Sequence, residues 1–218
     1  MFGPIKLPPL SPATRTAIRE VLKDSAERIN DFKSRGFDVM PLFKIMSEFG
    51  LEKGARILEI APSVFAEFSM ISCLLGYHYI GVDIDSVRLE ENHSAFARVY
   101  KEGIKDAGGS MWPMPSDIFK VEAGSNIFDA VICCHLFETL ENKDVDILLA
   151  KMFTWVKKKG SLLIEPVNLQ NGYKYFPKPY FTVQYITDKA EENGLNIRFI
   201  ESIFTAYTRY HAALFKVS

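Results

Sequence analysis

The most reactive side chain at neutral pH in this chain is His135. An imidazole titrates near physiological pH and can take a proton from an oxygen or nitrogen nucleophile as a new bond forms. Glu138 stands three residues on, a spacing that on a helix sets both side chains on one face as a His–Glu pair. Structural alternatives stand beside that reading: His135 caps the helix opening after its strand or lines a pocket, and Glu138 is an acid at a helix N-terminus. Further polar residues fall where apolar runs end, in Glu59-Ile60-Ala61-Pro62-Ser63, Gly81-Val82-Asp83-Ile84-Asp85, Ser116-Asp117-Ile118 and Cys133-Cys134-His135. In an open α/β sheet, ligands sit beyond the carboxyl ends of the strands where the winding reverses, so these positions carry the functional weight. Asp83 is an acceptor-only carboxylate suited to a pair of neighbouring hydroxyls, whereas Asp85 suits a helix N-terminus. Asp117 either meets a ligand or starts a turn, and Glu59 either gathers loop N–H groups or ends its strand partly exposed. The four histidines, His78, His93, His135 and His211, lack the company and spacing of metal ligands, so no metal is expected.

The elements that must position these residues can be read from the same sequence. From Ala55 onward strands alternate with helices, the pattern of a mostly parallel sheet wrapped on both faces. Strands are expected at 56–60, 78–83, 126–134, 161–165, 197–200 and 212–217, with a short one near Met111 in an otherwise loop-like stretch from Gly103 to Pro115. Helices are expected at 65–75, 87–101, 144–156 and 183–193. The third of these ends at Lys157-Lys158-Lys159-Gly160, where positive charge and a glycine suit a helix carboxyl terminus. Asn126 to Cys134 is nearly continuous in apolar residues, as a central parallel strand must be. Before the first strand, Ser11-Pro12 caps and opens an amphipathic helix, and a second helix covers Met40 to Phe49. The expectation is one α/β domain, Rossmann-like and doubly wound, with a seven-stranded sheet over 54–218 and residues 1–53 as an N-terminal helical cover of the same domain.

Composition narrows the partners. With 26 basic and 27 acidic residues there is no net field to draw the chain onto nucleic acid or an anionic surface. No apolar stretch approaches the ~20 residues of a spanning helix, and the proline-broken start does not read as a signal peptide. Three cysteines, Cys73, Cys133 and Cys134, lack framework spacing and suit buried free thiols in the cytoplasm. A small-molecule partner is expected, with a homodimer or protein partner left open. Aromatics between Gln170 and Phe181, among them Tyr173, Tyr175, Phe176, Tyr180 and Phe181, either stack on a planar or sugar substrate or pack as a loop or dimer surface.

Over about Gly54 to Val217 the chain resembles the class I S-adenosylmethionine (SAM)-dependent methyltransferases. Ile57 to Ser63 matches their strand-and-loop motif in place, Asp83 their second-strand acid, and Asp117 their acid twelve positions ahead of the Phe128-Asp129 strand opening. His135-Leu136-Phe137-Glu138 and Lys159-Gly160 match the stretches around strands four and five. The resemblance implies SAM as cofactor, Glu59, Ala61, Pro62 and Ser63 in its loop, Asp83 and Ile84 at the ribose, Asp117 and Ile118 at the adenine, and Cys134 beside it. It implies methyl transfer to an oxygen or nitrogen of a small molecule or sugar, with His135 and Glu138 as the catalytic pair. The family's acid-x-Gly-x-Gly-x-Gly loop here reads Glu59-x-Ala61-x-Ser63-x-Phe65, similar to an Ala-Pro branch linked to surface-polysaccharide genes, a branch that usually has an acid where Ser63 stands. A non-catalytic, partner-binding subunit with a degenerate loop is the competing expectation. A nicotinamide dehydrogenase is disfavoured because Gly-x-Gly-x-x-Gly is missing.

Overall fold

In the first strand, β1 (Arg56–Ile60), every residue after Arg56 is buried, as happens only when a strand is covered on both faces. The computed structural model describes residues 11–17, 19–20, 23, 49–62, 66–87, 89–90, 93, 101–168, 178, 180–205 and 210–218. After β1 come α1 (Ala66–Leu74), β2 (His78–Asp83), α2 (Lys101–Ala107), β3 (Ser110–Pro115), β4 (Phe128–Cys134), α3 (Asn142–Trp155), β5 (Val156–Val167), α4 (Val183–Glu192), β6 (Ile197–Thr205) and β7 (Tyr210–Val217). The strands form one seven-stranded sheet in the order β3-β2-β1-β4-β5-β7-β6. All neighbours are parallel except β7, which runs antiparallel between β5 and β6. The winding reverses between β1 and β4, so the crevice for a ligand lies beyond their carboxyl ends.

Period-two alternation divides the core. Leu58, Ile60, Val82, Val131, Cys133, Leu162 and Ile164 face Leu148, Leu149 and Met152 of α3 and Ile186 of α4. Ile57, Tyr79, Ala130, Ile132, Cys134 and Leu163 face Met70, Ile71 and Leu74 of α1. Asp129 fixes the amino-terminal edge: its carboxylate accepts the Arg56 N–H at 2.8 Å and holds the Lys157 ammonium at 2.9 Å, tying β1 and β5 to β4. Ser11 caps residues 12–17 as expected, its Oγ accepting the Thr14 N–H at 3.2 Å. That turn is fastened to α2 by Asp106, which accepts from both Ser11 and Thr14 hydroxyls.

Several expected boundaries move. The stretch from Gly103 to Pro115 is not a loop, since α2 and the full-length edge strand β3 fill it. Pro113 and Pro115 are tolerated there because an edge strand need not donate on both sides. The lysine run does not end a helix either: α3 stops at Trp155 and β5 begins at Val156. Phe128 pairs with Val156 but Ala130 with Ser161, so the lysines bulge out of the ladder, with Lys159 at φ +65°. β6 and β7 run longer than expected. Of the helix expected at 87–101, the described residues 87, 89–90, 93 and 101 are helical, the last opening α2. The expected helix at 40–49 lies outside the described residues except for Phe49.

Gly109, between α2 and β3, shows how tightly this layer closes. A Cβ at Gly109 would come within 2.0 Å of the Cys73 carbonyl oxygen of α1, which is backbone and cannot yield cheaply. Gly109→Ala should therefore lower stability by about 3 kcal/mol, read from the midpoint of urea unfolding. A change under about 0.5 kcal/mol would mean that α1 and α2 can part without cost.

Candidate functional site

The turn leaving β1 is held by Ala61 in the left-handed region, at φ +57°. Only glycine adopts that conformation freely, and Ala61 stands where the resembling family has its first loop glycine. Its N–H donates to the Val82 carbonyl at 2.8 Å, which brings the loop across the end of β2. Pro62 is buried against Gly81, where a Cβ would meet the proline ring at 3.1 Å. Ser63 and Phe65 lie outside the described residues.

Glu59 is 3% exposed, so the partly exposed strand terminus is ruled out. Its partner among the described residues is the Tyr79 hydroxyl, which donates at 2.5 Å from β2, rather than the loop N–H groups expected. Burial pushes its carboxyl up to about 8, although the Tyr79 hydrogen bond pulls the other way. Asp83 ends β2 almost buried; Oδ1 accepts the Asp85 N–H at 2.9 Å and Oδ2 carries no bond among the described residues. Ile84, the next residue, stands 77% exposed, an apolar side chain left over the crevice. Asp117 is engaged as a cap: Oδ1 accepts the Phe119 N–H at 3.0 Å at the start of a one-turn helix over Ile118–Lys120, and Lys120 lies 3.8 Å from Oδ2. Ile118 turns inward to the α3-facing core.

The carboxyl end of β4 brings the reactive groups together. Cys134 is buried beside Glu165, its register partner on β5, and burial followed by the Glu165 carboxylate drives its thiol well up, away from thiolate reactivity. His135 leaves the strand at φ +59°, its N–H bonded to the Glu165 carbonyl at 3.0 Å. Its Nδ1 sits 3.3 Å from Glu138 Oε1 and its Nε2 3.7 Å from Glu165 Oε2. Burial works against charge on this ring, but the hydrogen bond to Glu138 and the Glu165 carboxylate outweigh it, and its pKa is raised. Glu138 Oε2 is buried without a hydrogen-bond partner among the described residues. The His135–Glu138 pairing was readable from spacing, although it is made by the loop before α3 rather than on a helix. Glu165 was missed; its only signal was an acid ending an otherwise apolar strand. Tyr180 and Phe181 pack structurally, Phe181 at 1% exposure against the Phe137 ring, while Tyr173, Tyr175 and Phe176 lie outside the described residues.

The described residues hold no group of three or more His, Cys, Asp or Glu able to bind a metal, and no helix among them is long and apolar enough to cross a membrane.

Residues 64–164 match the model of a methyltransferase domain. A SAM-dependent methyltransferase from Aquifex aeolicus is similar at 16% identity and a TM-score of 0.57, covering 92% of this chain and 97% of that one. Magnesium protoporphyrin IX methyltransferase from Synechocystis PCC 6803, solved with bound SAM, matches at 13% identity and a TM-score of 0.57, over 98% of this chain and 86% of that one. The [4+2]-cyclase SpnF matches at 15% identity and a TM-score of 0.58, over 78% of this chain and 62% of that one. No curated protein matches. The chain thus has the Rossmann-like fold of the class I methyltransferases.

The Glu59 environment makes a checkable claim about stability. The unfolded carboxyl loses its proton near 4.5 and the folded one near 8, so between those values the folded state binds more protons and stability falls as pH rises. Glu59→Gln keeps an acceptor for Tyr79 without the charge. It should be more stable than wild type at pH 8 but not at pH 4.5, by the difference in urea midpoints; parallel curves at both pH values would rule out a titrating Glu59.

Proposed function

We propose that this chain is a SAM-dependent methyltransferase acting on an oxygen or nitrogen of a small molecule, a sugar among the candidates. The observation that carries this reading is Ala61, which at φ +57° keeps the loop turned as glycine does in the family although the glycine is gone. The residues at the sheet edge fit the cofactor: Asp83 offers Oδ2 to the two ribose hydroxyls, Ile84 offers an apolar surface to the adenine, and Ala61 and Pro62, turning out of β1 just after Glu59, stand at the methionine end. Asp117 frames the adenine side with its second oxygen, Ile118 anchors that turn in the core, and Cys134 floors the crevice through its backbone.

When bound, SAM supplies an electrophilic methyl group. The protein's share is alignment of the acceptor and removal of its proton. His135 is the base, and Glu138 holds the ring through Nδ1 and strengthens it as an acceptor of protons. Glu165, 3.7 Å from Nε2, adds to that basicity, and its backbone carbonyl anchors the His135 main chain by accepting the His135 N–H. Glu138 Oε2 is available to an N–H or O–H of the acceptor. The competing reading, a partner-binding subunit without catalysis, predicts no cofactor binding at all.

Calorimetric titration of S-adenosylhomocysteine separates the two. Wild type should bind, and Asp83→Ala should bind about 10- to 100-fold more weakly, the scale of losing hydrogen bonds to a charged acceptor. No heat with either folded protein would sink the methyl-transfer reading. The catalytic pair has a separate test in the pH titration of the His135 ring by NMR. A raised folded pKa means that the charged ring stabilises the fold below its unfolded value and loses that contribution as pH rises through the folded one. Glu138→Gln should lower the His135 pKa toward the ordinary range; an unchanged titration would remove Glu138 from the pair.

A further inference from the structure

An imidazole acts as a base only from its neutral form, and at His135 that condition has an electrostatic cost. The ring's Nδ1 lies 3.3 Å from Glu138 Oε1, and the imidazolium is the one cationic partner that Glu138 has among the described residues. Once the ring is neutral, with Nδ1–H donating to Oε1 and the Nε2 lone pair ready for a proton, Glu138 keeps its negative charge without a counter-ion. Its second oxygen, Oε2, is buried and accepts no hydrogen bond among the described residues, and a buried carboxylate oxygen left unbonded is costly. The pair still faces the crevice, the side chain of His135 being 31% exposed and that of Glu138 21%. The Glu165 carboxylate, 3.7 Å from Nε2, adds negative field on the side where the proton must arrive.

A hydroxyl and an amine leave different charges in such a place. A hydroxyl enters neutral and turns negative as its proton leaves, which sets an anion beside two carboxylates. An alkylamine enters at neutral pH as its ammonium and becomes neutral, so the cation passes to the ring and Glu138 has a counter-ion before and after the transfer. From this we infer that the methyl acceptor is a primary or secondary amine that enters as its ammonium, one N–H donating to Glu138 Oε2 and another directed at His135 Nε2. The N–H bond facing Nε2 breaks, its electron pair stays on the amine nitrogen as the lone pair that methylation needs, and the proton makes His135 an imidazolium. The inference rests on the methyl-transfer reading only for calling the ligand a methyl acceptor; the ammonium seat itself does not. It narrows that reading from oxygen or nitrogen to nitrogen, so that a sugar qualifies only through an amino group.

The test is the NMR titration of the His135 ring in the full chain with n-butylammonium chloride, tetramethylammonium chloride or n-butanol, all at one ionic strength set with sodium chloride. Butylammonium, which stays charged across the titration, should lower the His135 pKa saturably by about one unit, the scale of a new cation beside a partly buried ring. Tetramethylammonium has no N–H and butanol no charge, so neither should move it. Glu138→Gln keeps the shape of the side chain without its charge and should lose most of the butylammonium response. No saturable shift with butylammonium in wild type, an equal shift with tetramethylammonium or butanol, or a full response in Glu138→Gln overturns the seat. If Glu138→Gln does not fold, the wild-type comparison of butylammonium with tetramethylammonium decides alone. Failure of S-adenosylhomocysteine to bind wild type would sink methyl transfer while leaving the butylammonium result standing.

Discussion

The parallel pairing of β1 with β4 is the constraint on which the site depends. Ile57 to Ile60 lie against Ala130 to Cys133 in unbroken register, and this is where the order of the sheet reverses. A one-residue slip would turn Glu59 and Cys134 into the opposite layer and carry Ala61 and His135 out of the crevice. Asp129 opposes such a slip from the far edge, since one carboxylate takes the first N–H of β1 and the lysine of β5 together. The register of three central strands is thus set at their amino ends, and the chemistry is collected at their carboxyl ends.

That edge concentrates carboxylates in a place where charge is expensive. Glu59 meets the cost by holding its proton, whereas Glu138 and Glu165 flank the His135 ring. The same burial silences Cys134 as a nucleophile. The raised basicity of the His135 imidazole is a property of the pairing of β4 with β5 as much as of its own loop, because Glu165 arrives through that register.

The fold was legible where the pattern has only one physical meaning. A run as apolar as Ala130 to Cys134 fits a strand covered on both faces, and the polar residues Glu59, Asp83 and His135 marked the carboxyl ends. The lysine bulge was not legible, because Lys157 to Gly160 satisfies a helix ending and a bulged strand equally until the partner strand is known. β3 was hidden by its prolines, which an edge permits and a centre forbids. Within the site, His135 and Glu138 were readable because their link is local. Glu165 was not, since it gains its meaning from a residue on another element.

The fold alone does not decide the reaction, as a cyclase shares it, so the weight falls on whether the altered loop still shapes the crevice. A left-handed alanine costs about 1–2 kcal/mol more than glycine and persists only where its surroundings hold it. Here they do: the Ala61 N–H is tied to Val82, and Pro62 is seated on Gly81, a position in β2 with no room for a side chain. The close approach is made on the neighbouring strand, where a Cβ at Gly81 would meet the Pro62 ring at 3.1 Å. A proline, rigid in φ, then replaces the freedom of a glycine-rich turn with a fixed path. Ala61 and Pro62 together thus set the path of the chain as it leaves β1.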